Sequence, residues 1–221
     1  MSQKSEIKLS ILIPSIPSRW RQLTTSFDSL VEKIGDKDIE VLAFSDNKKR
    51  TIGEKRDALV KMAKGKYIMF VDDDDELLSV NEIYEAACKH DVDVITFKQE
   101  CRNTDGSTFI VDFGLGNKIE HNVDENGNYT DCKRPPFHVC AWNSIYAAYD
   151  FPAVNYAEDW GWVKQFVHVA INEFHIDKVL CKYNFDPKIT EASTESNSEW
   201  KNPNVIPTED AEGNSELSNE G

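Results

Sequence analysis

Gly65-Lys-Tyr-Ile-Met-Phe-Val-Asp-Asp-Asp-Asp75 is the stretch on which the fold turns. Tyr67 to Val71 are five consecutive strand-prone residues with no polar alternation. Such a run suits a strand buried on both faces, as in a parallel sheet covered by helices. Four aspartates follow it directly. Ligands of open α/β sheets bind beyond the carboxyl ends of the strands, so the acidic run falls on the expected edge of a site. Adjacent carboxylates repel one another, and a bound cation relieves the repulsion. Hard oxygen ligands favour Mg2+ or Mn2+, and an ion held by only one or two carboxylates keeps positions open for a diphosphate. A solvated acidic loop is the plainer reading of an aspartate run, but the buried strand beside it weighs against that.

Upstream, residues 8–13 read as a strand ended by Pro14. A helix follows with Leu23, Phe27, Leu30, Val31 and Ile34 on one face. Residues 39–44 form a second strand. Thr51-x-x-Glu54 is a capping box opening a helix that turns Ala58, Leu59, Met62 and Ala63 to the core, with Gly65 as its stop. Downstream, Ser79-x-x-Glu82 is a second box before a helix through Ile83, Ala86 and Ala87, and residues 92–97 form a fourth strand. Alternating strands and helices predict an α/β, doubly wound sheet. Residues 101–135 read as a strand over Phe109 to Phe113 among loops, with turns at Asp105-Gly106 and Asn126-Gly127. A helix over 158–170 with Trp162, Phe166 and Ala170 on one side and a late strand over 176–183 complete the domain. Residues 187–221 hold eight acids, two bases and few apolar side chains, and read as a flexible acidic tail.

The bulk properties narrow the function. With 221 residues, 40% of them hydrophobic, the chain has enough for one α/β core. No apolar run approaches the roughly 20 residues of a membrane span. The apolar stretch after the polar N-terminus is too short for a signal peptide, so a soluble cytoplasmic protein is expected. Five cysteines without a C-x-x-C pair imply reduced thiols rather than a zinc site or a disulfide framework. A net charge of -14 disfavours broad attraction to nucleic acid or anionic membranes.

Two further constellations carry chemistry. Glu158-Asp159 opens a helix, flanked by the two aromatic residues Trp160 and Trp162. Acids at a helix N-terminus are commonly dipole-favoured caps, yet an acid beside aromatic walls also suits a general base that takes a proton from a sugar hydroxyl. Lys55 and Arg56 stand in the first turn of a helix, where the dipole disfavours cations. A placement against local preference points to contact with a phosphate or a ribose, or to simple solvation.

Together these elements resemble a glycosyltransferase family 2 domain of the GT-A fold, with a Rossmann-like, mostly parallel central sheet flanked by helices. Ile11-Leu-Ile-Pro-Ser-Ile-Pro-Ser-Arg19 is similar to the family's first strand and the turn after it. Ile52-Gly-Glu-Lys-Arg-Asp-Ala-Leu59 resembles its G-x-(A/K)-R-N segment, with Asp57 in place of Asn. Gly65 to Asp75 resembles G-x-Y-(apolar)4-D-x-D-D, and Tyr156-Ala-Glu-Asp-Trp-Gly-Trp162 the late Glu-Asp motif. The resemblance implies a domain over 1–186, with a nucleotide-sugar half over about 1–100 and an acceptor half over about 101–186.

It also implies roles. Pro14, Ser15, Arg19 and Asp46 would line the base pocket. Lys55 and Arg56 would lie near the base or ribose, and Asp72 and Asp73 beside the donor. Asp74 would hold Mn2+ or Mg2+ against the diphosphate. Asp159 would be the catalytic base, with Glu158 on acceptor or donor sugar. The family often places a further metal ligand after the last core strand. Lys182-Tyr-Asn-Phe-Asp186 offers Asp186 there, with His138 and His175 as substitutes. The implied reaction is a metal-dependent, inverting transfer from a nucleoside-diphosphate sugar, UDP above all.

The aromatic stretch from Arg134 to Tyr156, with His138 and Trp142, together with Trp160 and Trp162, is the expected acceptor side. The acceptor would be a hydroxyl on a saccharide, a lipid-linked glycan or a base in DNA; the net charge does not favour the last. A nucleotidyltransferase and a non-catalytic nucleotide-sugar-binding homologue are the alternatives. The absence of glycine from Pro14 to Arg19 argues against the first, and the presence of both Asp74 and Asp159 against the second.

Overall fold

The computed structural model describes residues 6–184. In chain order, β1 (Leu9–Ser15), α1 (Trp20–Ile34) and β2 (Ile39–Ser45) are followed by α2 (Ile52–Met62), β3 (Tyr67–Phe70) and the two-residue β4 (Glu76–Leu77). Then come α3 (Asn81–Lys89), β5 (Val94–Arg102), β6 (Thr108–Phe113), β7 (Glu120–Val123) and β8 (Tyr129–Arg134). β9 (Ala141–Asn143), α4 (Glu158–Val163) and β10 (Glu173–Tyr183) complete the series.

β1 is buried along its whole length because β2 and β3 both pair with it in parallel. Pro14 continues this strand rather than ending it, in register with Phe44. β9 inserts antiparallel between β3 and β5, so β2, β1, β3 and β5 run the same way. The centre is therefore mostly parallel, as expected. β10 lies parallel to the far side of β5 and returns to pair antiparallel with β4. β6, β8 and β7 extend the sheet outward from β5.

Some expectations need correction. The stretch expected to be mostly loop contains β7 and β8, joined through the turn at Asn126-Gly127, where Gly127 has φ +80°. Gly65 does not stop α2, whose last residue is Met62. A Cβ at Gly65 would instead lie 2.5 Å from the Ser10 backbone nitrogen, so the position requires its bare backbone. The helix expected over 158–170 ends at Val163, and mixed three- and four-residue turns carry the chain on to Ala170. Its apolar side is nevertheless as read: Trp162, Phe166 and Ala170 are buried.

Trp142 and Trp162 are fully buried, so neither touches an acceptor. Trp142 meets Phe166 edge-on at 4.8 Å, and Trp162 stacks on Phe151 at 4.6 Å. Their indole N–H groups donate to the carbonyls of Phe137 and Tyr149, as buried indoles require. Both are core residues. All five cysteines are free thiols. Among the described residues no helix is long and apolar enough to cross a membrane. The tail over 187–221 and Asp186 lie outside the described residues.

Candidate active site

The acidic run leaves β3 at the carboxyl end of the sheet and splits by parity. Asp72 and Asp74 are partly exposed, with side chains 26% and 18% accessible, while Asp73 and Asp75 are buried. A turn in which the Asp75 N–H donates to the Asp72 carbonyl at 3.0 Å fixes the alternation. Asp73 is an anchor: its carboxylate accepts from Ser15 Oγ and from Arg19 Nη1, both at 2.6 Å. Arg19 reaches Asp74 with its other nitrogen at 2.9 Å. Asp75 accepts from the Asn184 N–H at 3.1 Å, and burial, then Asp72 and Asp74, push its pKa well up. Asp74 is pushed up to about 6, by burial first and then by Asp72, against the pull of Arg19.

Two residues of this wall escaped the sequence reading. Asn184 donates from Nδ2 to the Asp74 carbonyl at 3.0 Å, and Ser26 Oγ donates to the Asp73 carbonyl at 3.3 Å. Asn184 lies inside Lys182 to Asp186, where the sequence points to a metal ligand, whereas its amide holds the backbone of the acidic turn. A cleft of about 250 Å³ opens here between Thr25, Ser26 and Ser29 of α1 and Asp72, Asp74 and Asn184.

Lys55 and Arg56 are only 3% exposed, which removes the solvation reading. The capping box at Thr51 and Glu54 forms and starts α2 in a register that aims both side chains inward. Lys55 donates to the Ser15 carbonyl at 3.1 Å and pairs with Asp46 at 2.9 Å. Burial opposes ionisation of Asp46, but Lys55 and Arg50 hold its pKa below the ordinary value. Arg56 donates through Nη2 to Asp72 at 2.9 and 3.1 Å and through Nε to Glu158 at 3.0 Å, its guanidinium 4.9 Å from the Phe70 ring centre. Burial works against the charge of Asp72 too, and Arg56 above all outweighs it, so its pKa is lowered.

Glu158 and Asp159 follow Ala157, a left-handed residue at φ +56°. That backbone is uncommon without glycine and costs on the order of 1 kcal/mol, which the surrounding contacts must offset. Glu158 is buried, and burial followed by the charge of Asp159 pushes it up to about 7 against Arg56. Asp159 is 22% exposed. One of its oxygens accepts from the Trp160 N–H at 2.7 Å, and the other lies 3.4 Å from His138 Nδ1. Burial, then Arg56, push the His138 pKa down to about 4. Trp160 is partly exposed beside Phe137.

The site residues thus fall into two layers. Arg19, Asp46, Asp72, Asp74, Asp159 and Trp160 present accessible surface. Pro14, Ser15, Lys55, Arg56, Asp73 and Glu158 are buried behind them. The polar side chains of this second set tie back to the first layer and the backbone: Lys55 pairs with Asp46, Arg56 with Asp72 and Asp73 with Arg19, while Arg56 Nη1 is buried without a hydrogen-bond partner. His138 and His175 do not complete a metal site with Asp74. His138 faces Asp159, and His175 Nδ1 lies 3.0 Å from Thr96 with Nε2 3.5 Å from Asp112. Among the described residues no group of three or more His, Cys, Asp or Glu side chains is arranged to hold a metal.

Residues 24–132 match the model of glycosyl transferase family 2. Among solved structures, the chain is similar to residues 1–349 of S. aureus TarS in complex with UDP, at 17% identity and TM-score 0.52, covering 81% of this chain and 61% of that one. The same TarS fragment without UDP aligns at 18% identity and TM-score 0.51, covering 79% and 59%. Full S. aureus TarS aligns at 16% and 0.50, covering 81% and 37%. At these identities the likeness establishes a shared fold, and the chain spans less than two thirds of each of those proteins. No curated protein matches it in sequence.

Proposed function

We propose that the chain, whose residues 24–132 match the model of glycosyl transferase family 2, moves a sugar from a nucleoside-diphosphate sugar to an acceptor hydroxyl, with inversion at the anomeric carbon. The observation that carries this reading is the Arg56 bridge. It joins Asp72, at the end of β3, to Glu158, at the start of α4, through one buried guanidinium. The donor-side carboxylates Asp72 and Asp74 and the candidate base Asp159 are thereby held on one framework. UDP is the nucleotide we assign, since TarS, of the same fold, is solved with UDP. The accessible Arg19, Asp46 and Asp72 are the residues to meet it.

Asp159 takes the proton of the acceptor hydroxyl. The acceptor oxygen forms its bond to the anomeric carbon as the bond from that carbon to the diphosphate oxygen breaks, through an oxocarbenium-like state. The nucleoside diphosphate leaves with the bonding electrons. Mg2+ or Mn2+ fits Asp74, a crowded and partly exposed carboxylate, because such ions need only one or two protein carboxylates beside phosphate oxygens. When bound, the ion compensates charge on the departing diphosphate. A saccharide or lipid-linked glycan is the acceptor class we favour, entering past Trp160. The net charge of -14 does not favour nucleic acid.

Thermal denaturation with UDP, UDP-glucose and UDP-N-acetylglucosamine, each with and without Mn2+, tests donor binding. A ligand at 100 times its dissociation constant stabilises by about 2.7 kcal/mol. The expected result is a rise in Tm with a UDP ligand that grows with Mn2+ and loses its Mn2+ dependence in Asp74→Asn. Asp159→Asn is expected to keep that shift and lose sugar transfer. Undiminished transfer in Asp159→Asn removes Asp159 as the base.

A further inference from the structure

His138 enters the site from the segment before β9 and is the one imidazole facing the candidate base among the described residues. Its carbonyl accepts from the Phe70 N–H at 3.1 Å, which ties the residue to the end of β3. The ring meets Phe137 edge-on at 4.7 Å and Phe70 at 6.2 Å, so it is clamped between aromatic faces. Nδ1 is buried and makes no well-formed hydrogen bond; the polar atom it faces is Asp159 Oδ2, at 3.4 Å. A buried polar nitrogen left unpaired costs about 1–3 kcal/mol, so its persistence calls for a reason.

We propose that His138 is a positioning residue for Asp159, holding the carboxylate with an Nδ1–H donor on a neutral imidazole. The inference rests on the reading of Asp159 as the base. The tautomer follows from elementary electrostatics. An unprotonated Nδ1 would set its lone pair against a carboxylate oxygen, which is repulsive, whereas Nδ1–H donates to it. Burial first, and then the charge of Arg56, act against an imidazolium and outweigh the opposite pull of Asp159 and Asp72, which keeps the ring neutral. The Trp160 N–H already fixes the other Asp159 oxygen at 2.7 Å. With His138 on the second oxygen, the carboxylate is gripped from the start of α4 and from the segment before β9, and one lone-pair direction stays aimed at the acceptor. A base oriented by a further group is the recurrent arrangement for proton abstraction, and such bonds commonly tighten only once substrate is bound.

Two measurements test this. Nitrogen-15 NMR of the ligand-free protein at pH 7 reads the tautomer, with the His138 signal identified by its loss in His138→Phe. The expected result is Nδ1–H in the wild type and a shift to Nε2–H in Asp159→Ala. An Nε2–H tautomer in the wild type overturns the proposal. Transfer is then followed as UDP release from whichever UDP-sugar of the panel above the wild type turns over. His138→Phe keeps the ring in its aromatic slot without a donor and is expected to lower kcat by about 10- to 100-fold with the donor KM unchanged. His138→Asn places an amide N–H near the Nδ1 position and is expected to restore kcat to within about fivefold of wild type. His138→Phe at the wild-type rate overturns the proposal. Asp159→Asn, run alongside, separates the two readings: transfer retained there rejects the base itself, and transfer lost there with His138→Phe unaffected rejects only the role of His138.

Discussion

The sequence marks Arg56 only because it stands near the start of α2, where the helix dipole disfavours a cation; in the structure it lies just past the first turn of that helix. The fold supplies the compensation, two carboxylates from residues 16 and 102 positions away in the chain. Its partner Glu158 makes the site sensitive to pH. Burial and Asp159 raise Glu158 from an ordinary 4.5 to about 7. Between these values the folded protein keeps a proton that the unfolded chain has released. The contribution of Glu158 to stability is therefore greatest below about pH 4.5, falls as the pH rises, and is lost above about 7. Glu158→Gln, which cannot ionise, is expected to gain on the wild type by about 1–3 kcal/mol between about pH 5 and about pH 8, read by urea unfolding at each pH. His138 titrates in both proteins and cancels in the difference. A gap that stays constant with pH contradicts the shift.

At the scale of elements, the joint between α2 and the loop before α4 decides how the two sides of the site meet. The first N–H groups of α2 are satisfied across this joint: Ile52 N–H donates to Asn155 Oδ1 at 3.2 Å and Gly53 N–H to the Val154 carbonyl at 3.1 Å. A Cβ at Gly53 would fall 1.8 Å from the Pro152 carbonyl oxygen, so only glycine allows the approach. Gly53→Ala is expected to cost at least about 1–3 kcal/mol in denaturant unfolding and to reduce transfer more than UDP binding, because the displaced loop carries Asp159. An alanine variant of wild-type stability would show that the loop moves away freely. The Thr51 capping box behind this joint was legible because it is local. The Ser79 box was less so: α3 begins at Asn81 with Val80 as its N-cap, and Ser79 Oγ bonds only the Glu82 side chain. β7 was not legible at all, since all four of its residues are exposed and polar spacing cannot reveal a strand made by backbone pairing at an edge.

For the molecule as a whole, the three-residue β9 is the keystone of the sheet, paired to β3 on one side and β5 on the other. Trp142 at its centre packs against Tyr146, Trp162 and Phe166. Trp142→Ala is expected to lower stability by about 3–5 kcal/mol, with near-UV circular dichroism and fluorescence following one shared transition. Two separated transitions would mean that the nucleotide side and the acceptor side hold independent cores. A strand of three residues is too short for periodicity, and its tryptophan reads equally as core or as a wall for a sugar. Burial alone distinguishes the two, and burial is a property of the packed chain.

The sequence by itself determined the parallel strand–helix frame and the position of the acidic run at its carboxyl edge, because hydrophobic period and helix caps act over a few residues. It also identified Glu158 and Asp159 as a second centre of charge. Which acids face the cleft and which are anchors was decided only by the tertiary structure. Asp73 is spent on Ser15 and Arg19, Glu158 on Arg56, and Asp75 on Asn184, while Asp72, Asp74 and Asp159 keep accessible surface. Identical carboxylates become wall or working surface according to which distant partners burial brings to them, and those partners lie up to 109 residues away.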